Sequence, residues 1–246
     1  MERIKTMLMM NEGKYVGRDE IANVPTPTGT DSWHPVAHAD VIDAVTDVVK
    51  AHDWQIIDEQ FGLARGGQRM FGVMRINKSS SSDWSRCIGI RNSHDQSLSV
   101  GITAGISVMC CSNLAFGGTM VLKRRHTSRI ELNDLVLTAV DELEMEFLNL
   151  ETVSEDLKLH EVGADEARAA IVKAAEVKAI NSCDIVPIFQ EFQHPRHEEF
   201  VEPTRWSLLN AFTEHAKKYS PGRADVFHRE LTKLFGLDGN RPELWR

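Results

Sequence analysis

The segment Arg91-Asn92-Ser93-His94-Asp95-Gln96-Ser97 packs a cation, an imidazole, a carboxylate and hydroxyls between two apolar runs. An imidazole titrating near neutrality suits proton transfer. His94 is therefore a candidate general acid or base, with Asp95 beside it, or Glu214 further along, as a candidate orienter. Adjacent side chains on a strand point to opposite faces, so sequence proximity does not by itself make His94 and Asp95 a dyad. The plainer alternative is a hairpin turn whose Asn, Ser and Asp satisfy the backbone. No GxSxG elbow, Walker loop or HExxH accompanies the segment. No reaction class follows from it, and no cofactor is expected.

A second chemical signal is Lys123-Arg124-Arg125-His126-Thr127-Ser128-Arg129, with four cations and no acid. At a junction of strand and helix such a cluster could grip phosphates, helped by hydroxyls and the first helical amides. Its alternative is a solvated strand end. The candidate nucleic-acid-binding set is Arg91, Asn92, Lys123, Arg124, Arg125, His126 and Arg129. Metal ligation is the weakest signal. His34 and His38 flank Pro35, and His194 and His197 stand beside Glu198 and Glu199, but neither matches a zinc spacing. No metal is expected. Trp206, Asn210 and Thr213 would share one helical face, where core packing is the common fate of a tryptophan.

The elements that must position these groups follow from periodicity. Residues 1–32 read as an extended arm containing Pro25-Thr26-Pro27-Thr28-Gly29. Val41, Val45, Val48 and Val49 mark a helix over about 37–52. Residues 54–63 and 70–76 read as strands around the turn Arg65-Gly66-Gly67-Gln68, and the serines at 79–82 as a loop. Further strands are expected at 86–91, 98–103 and 106–111, the last two bent or split at Ala104-Gly105, and at 120–122. From Ile130 the period becomes helical, with Leu132, Leu135, Val136, Val140, Leu143 and Phe147 on one face. Helices are expected at 164–180, 204–218 and 224–235, with an irregular stretch around Pro187, Pro195 and Pro203. The fold class is α+β: an N-terminal helix, an antiparallel β meander, then a long helix and further C-terminal helices. An α+β core over 33–182 would carry a helical region over 183–246.

With 246 residues, 42% hydrophobic and 26% charged, the composition is that of a globular chain, which excludes a disordered or rod-like protein. No run approaches the roughly 20 apolar residues of a spanning helix. The N-terminus lacks a long apolar region and a small-residue cleavage site, so a cytoplasmic location is expected. Cys110 and Cys111 sit in an apolar run and read as reduced core residues. The net charge of -8 excludes a globally basic nucleic-acid coat. Charge is nonetheless segregated: ten acids lie between Asp141 and Glu166, just after the basic segment. Phosphate contacts are local, so a polyanion site is compatible with the total.

Five segments, in their order and spacing, resemble the family called domain of unknown function 932. They are Trp33-His34-Pro35-Val36-Ala37-His38, Arg91 to Ser97, Cys110-Cys111-Ser112-Asn113-Leu114-Ala115-Phe116, Arg125-His126-Thr127 and Trp206 to Glu214. The vicinal cysteines depart from the single cysteine of that pattern. The resemblance implies a phage, plasmid or prophage setting and assigns no catalytic residue. Strands feeding a long helix, with cations at the junction, are also the order seen in single-strand annealing proteins of the Rad52 and Red-beta type, a fold-level analogy. The expected function is nucleic-acid binding in phage or plasmid DNA metabolism, with single-stranded DNA as partner and a homo-oligomer as the assembly. The alternatives are a mobile-element protein that binds a host protein through its acidic stretch, or an enzyme using the Arg91–Ser97 loop. No membrane partner is expected.

Overall fold

The computed structural model describes residues 13–77, 84–108, 114–116, 122–124, 132–219 and 221–245, of which 114–116, 122–124, 132–141, 221, 222 and 225 as backbone. The chain is α+β, and its strands precede its long helices. The sheet contains β1 (Gly13–Val16), β2 (Ile56–Ala64), β3 (Arg69–Ile76), β4 (Trp84–Ser93) and β5 (Val100–Val108), side by side in that order and antiparallel throughout. Two three-residue strands, β6 (Leu114–Phe116) and β7 (Leu122–Arg124), both pair with β5.

One face of this sheet makes the core. Met70, Met74 and Ile76 of β3, Ile88 and Ile90 of β4, and Val100, Ile102 and Ile106 of β5 are all buried there, every second residue as the pleat requires. They share a hydrophobic cluster with Val41, Ile42, Val45 and Val49 of α2 (His38–Ala51) and with Leu143, Phe147 and Leu150 of α3 (Leu132–Leu159). Arg86 fastens α3 to the sheet. Its Nε donates to Glu151 at 2.7 Å and its guanidinium to Glu144 at 3.2 Å, while its charge lies 5.1 Å from the Phe147 ring centre. Residues α4 (Ala164–Glu176), α5 (Ile185–Gln193), α6 (Arg205–Ala216) and α7 (Pro221–Phe235) extend the same cluster as far as Leu237. No helix among the described residues is long and apolar enough to cross a membrane.

Four local expectations change. The stretch read as an extended arm contains β1 and the helical turn α1 (Arg18–Ala22). There Glu20 reaches back to the Gly17 amide at 3.3 Å, and Arg18 donates to Glu59 and to Thr46. β5 passes unbroken through Ala104 and Gly105, because both keep strand register opposite Ile88 and Cys87. The irregular stretch contains α5, since Pro187 falls in a first turn where its missing amide is not needed. β4 runs on through Asn92 and Ser93, so the turn begins only at His94.

Candidate functional site at the end of the sheet

Two of the motif segments meet where β4 leaves the sheet. His38 opens α2, and Asn92 and His94 lie two residues apart on the β4 side. The two imidazoles stack with ring centres 3.8 Å apart and planes 3° from parallel. His38, Asn92, Ser93 and His94 are all buried.

The hydrogen bonds fix the protonation of this cluster. A carbonyl only accepts, so His38 Nε2 donates to Gly67 O at 2.9 Å and His94 Nε2 donates to Val36 O at 2.9 Å. The Asn92 amide nitrogen also donates to Val36 O, at 2.9 Å. It donates as well to His38 Nδ1 at 2.9 Å, which must then be a lone pair. His38 is neutral in this arrangement. Asn92 Oδ1 and His94 Nδ1 are buried acceptors with no hydrogen-bonding partner among the described residues. Burial holds the His94 pKa below the ordinary imidazole value, against weaker opposing effects of the Val36 carbonyl and Asp95.

The flanking loop is also tied down. The His94 amide donates to Gln68 O at 2.7 Å, and Arg69 Nε donates to Asp95 at 2.7 Å. Ser97 donates to Asp95 through both its amide and its hydroxyl. Burial acts to raise the Asp95 pKa, but the bonds from Ser97 and Arg69 prevail and hold it low. Gly67 takes a φ of 91°, open to glycine at little cost, and so turns its carbonyl toward His38. Asp95 is thus spent on Arg69, and Glu214 pairs with Arg196 and Lys217. No orienting hydrogen bond from either carboxylate to His94 is formed. With Nε2 committed to a backbone carbonyl and Nδ1 buried, His94 locks the Trp33–His38 segment onto the sheet.

This arrangement makes stability depend on pH. A histidine whose folded pKa is depressed takes up its proton more readily in the unfolded chain, so its stabilising effect is whole above about pH 6.5 and is lost as pH falls through the folded value. His215 acts in the same direction, its pKa lowered by burial. Thermal melting should therefore shift to lower temperature from pH 7.5 to pH 5.5, and His94→Gln should make the shift smaller. An equal shift in that variant would remove His94 from the account.

The candidate basic residues divide by register. Directly paired residues share a face of a sheet. Phe71 is opposite Arg91, Arg91 is opposite Gly101, and Gly101 is opposite Lys123, so these positions form one row across β3, β4, β5 and β7. Phe71, Val73, Cys87 and Arg91 lie on the face that contributes nothing to the core cluster. Val73 and Cys87 are buried even so, and burial pushes the Cys87 thiol pKa up. Phe71 and Arg91, nearer the His94 end, are half-buried. Arg124 is opposite Val100, a core position, and therefore falls on the other face from Lys123. Asn92 likewise belongs to the core face, where it holds the histidines rather than a surface ligand. Arg125, His126 and Arg129 lie outside the described residues, as do Cys110 and Cys111.

A second buried polar cluster escaped the sequence reading. Asp184 accepts from His215 Nε2 at 2.7 Å, from the Tyr219 hydroxyl at 2.8 Å and from the Asn181 amide at 3.0 Å. Burial opposes ionisation of Asp184, yet these bonds bring its pKa down to about 2. With its oxygens so occupied, it joins the start of α5 to the end of α6. Trp206, Asn210 and Thr213 are buried in α6; Asn210 donates to Trp206 O and Thr213 to Asn210 O, so that segment serves the core. Among the described residues no three His, Cys, Asp or Glu side chains converge as a metal set would.

The geometry defines an α+β domain in which a seven-stranded antiparallel sheet carries helices on one face and a motif-built polar cluster at one end. The chain belongs to the family described as domain of unknown function (DUF932), whose model matches residues 28–235. No curated protein matches the chain, and no solved structure matches it.

Proposed function

We propose that this protein binds single-stranded DNA in phage or plasmid DNA metabolism, as a cytoplasmic homo-oligomer. The observation that supports the reading is the placement of Arg91 and Lys123 on one face, on either side of a strand position that is glycine. Strands in a sheet are about 4.8 Å apart, so the two positions are separated by roughly 10 Å of backbone. A cationic pair at that spacing suits a phosphate backbone crossing the strands. The sequence continues from Lys123 into three further cations. The phage or plasmid setting rests on the family resemblance, and the oligomer on the analogy with annealing proteins.

The test is fluorescence anisotropy with labelled oligothymidylate at several salt concentrations, against a duplex control. Binding should weaken steeply with salt and favour the single strand. Each phosphate contact to a single strand contributes about 0.7 to the log–log salt slope, so Arg91→Ala with Lys123→Ala should make the slope shallower by about 1.4. An unchanged slope in that double variant would sink the assignment of these two residues. A second reading, a host-protein partner, is favoured by one observation: α3 exposes Met145 and Leu148, one turn apart, within the acidic stretch. Copurification of one defined host protein, with no oligonucleotide binding, would decide for it.

A further inference from the structure

We infer that the segment Trp33–His38 is a strap held shut by two neutral imidazoles, and that proton uptake by His38 and His94 together opens it while the sheet stays folded. The inference is independent of the nucleic-acid reading.

Side chains, rather than a strand ladder, tie the strap down. Residues 34–37 have no regular structure and are half-buried. Ala37, at the N-cap of α2, offers no side-chain cap. Val36 O is the fastening, accepting from both Asn92 and His94. His38 adds two further ties, one from its Nε2 to Gly67 O and one to its Nδ1 from Asn92.

Both rings must stay neutral for this arrangement. With each Nε2 already donating to a carbonyl, the two Nδ1 atoms are where a second proton would go. At His38 that proton would face the Asn92 amide, itself a donor, and break the bond between them. It would also place a cation in the first turn of a 14-residue helix, at the positive end of its dipole. At His94 the site is a buried nitrogen with no hydrogen-bonding partner among the described residues, and burial opposes the charge. The ring centres are 3.8 Å apart, so a charge on one ring repels a charge on the other.

Two carboxylates work the other way. Asp95, on the His94 loop, is paired with Arg69 of β3 at 2.7 Å, and burial outweighs its effect on His94. Asp40 is exposed in the first turn of α2. The β2–β3 turn contributes carbonyls, Gly67 O to His38 and Gln68 O to the His94 amide. Once the strap opens, both imidazoles meet water and accept protons as ordinary histidines do.

Hydrogen exchange of the full chain at pH 7.5 and 5.5 tests the strap, with rates corrected for the pH dependence of an unprotected amide. The reporter is the Val41 amide, which donates to Ala37 O. Two imidazoles that accept protons only in the open state, near an ordinary value of about 6.5, raise its opening constant about 100-fold over that interval; one raises it about 10-fold. Val41 should show the larger rise, with the Ile88 and Ile90 amides of β4 remaining far more protected at both pH values. His94→Gln should reduce the rise to about 10-fold. A pH-independent Val41, or one that opens only as often as Ile88 and Ile90, overturns the strap. A rise of only about 10-fold in the unaltered protein, or an undiminished rise in His94→Gln, overturns the joint uptake.

Discussion

Arg86→Leu should cost about 3–5 kcal/mol of folding stability, because it removes one partner from a buried ionic network. The Arg86 side chain is only 5% exposed, and its partner Glu151 is 15% exposed. Without the guanidinium, Glu151 would be left facing the sheet with no counter-charge, whereas Glu144, at 32%, can turn toward water. The cation over the Phe147 ring is lost as well. Domains are typically stable by roughly 5–15 kcal/mol, so this single change consumes much of the margin. Urea unfolding should show a lower midpoint at an unchanged slope. Pairing Arg86→Leu with Glu151→Leu should restore part of the loss, since an apolar replacement of both partners leaves no stranded charge. A midpoint equal to that of the unaltered protein would mean that the network contributes nothing net.

Asn92→Leu should also be strongly destabilising. Asn92 is fully buried and donates to two acceptors at once, Val36 O and His38 Nδ1. Val36 O keeps a donor in His94 Nε2, whereas His38 Nδ1 loses the bond from Asn92. A stranded buried acceptor costs about 1–3 kcal/mol, and the added branched side chain must fit beside two stacked rings. The effect should show as a lowered denaturation midpoint. It should also show as faster hydrogen exchange at the start of α2, which depends on the His38 anchor. Exchange that is slow in α2 despite lost stability would place the anchor elsewhere.

The sheet and the principal helices were legible because their periodicities are strong. The valines of α2 repeat at helical spacing, and β2 to β4 are apolar stretches bounded by turn residues. Segment 91–97 was legible as chemically dense, but its meaning was not. His94 bonds to Val36 and Asn92 to His38, partners more than 50 residues away that only tertiary structure supplies. Register was equally hidden. A one-residue offset separates Lys123 from Arg124, and with a side-chain period of two that offset assigns them to opposite faces. Asp184 and His215 are 31 residues apart, and neither belongs to a motif segment. The one local hint was Asn181 preceding Asp184, a pattern common at helix starts. Proline misled at 187, where its place within the turn, rather than its presence, decides whether a helix can begin.

Strand order has a consequence for how the chain reaches this structure. From β2 to β5 every strand pairs with its immediate successor, so each pairing closes a short loop and needs little prior organisation of the rest. β1 pairs with β2 across the whole of α1 and α2, and the Glu161–Thr204 bridge spans two intervening helices. Early contacts should accordingly be those of the central strands, with the N-terminal strand and the C-terminal helices joining a sheet already formed. On this order the histidine stack is assembled late, once β4 has been placed. His38 and His94 would then act as a clasp that registers arrival of the N-terminal segment, which gives a steric meaning to two motif segments so far apart in the chain.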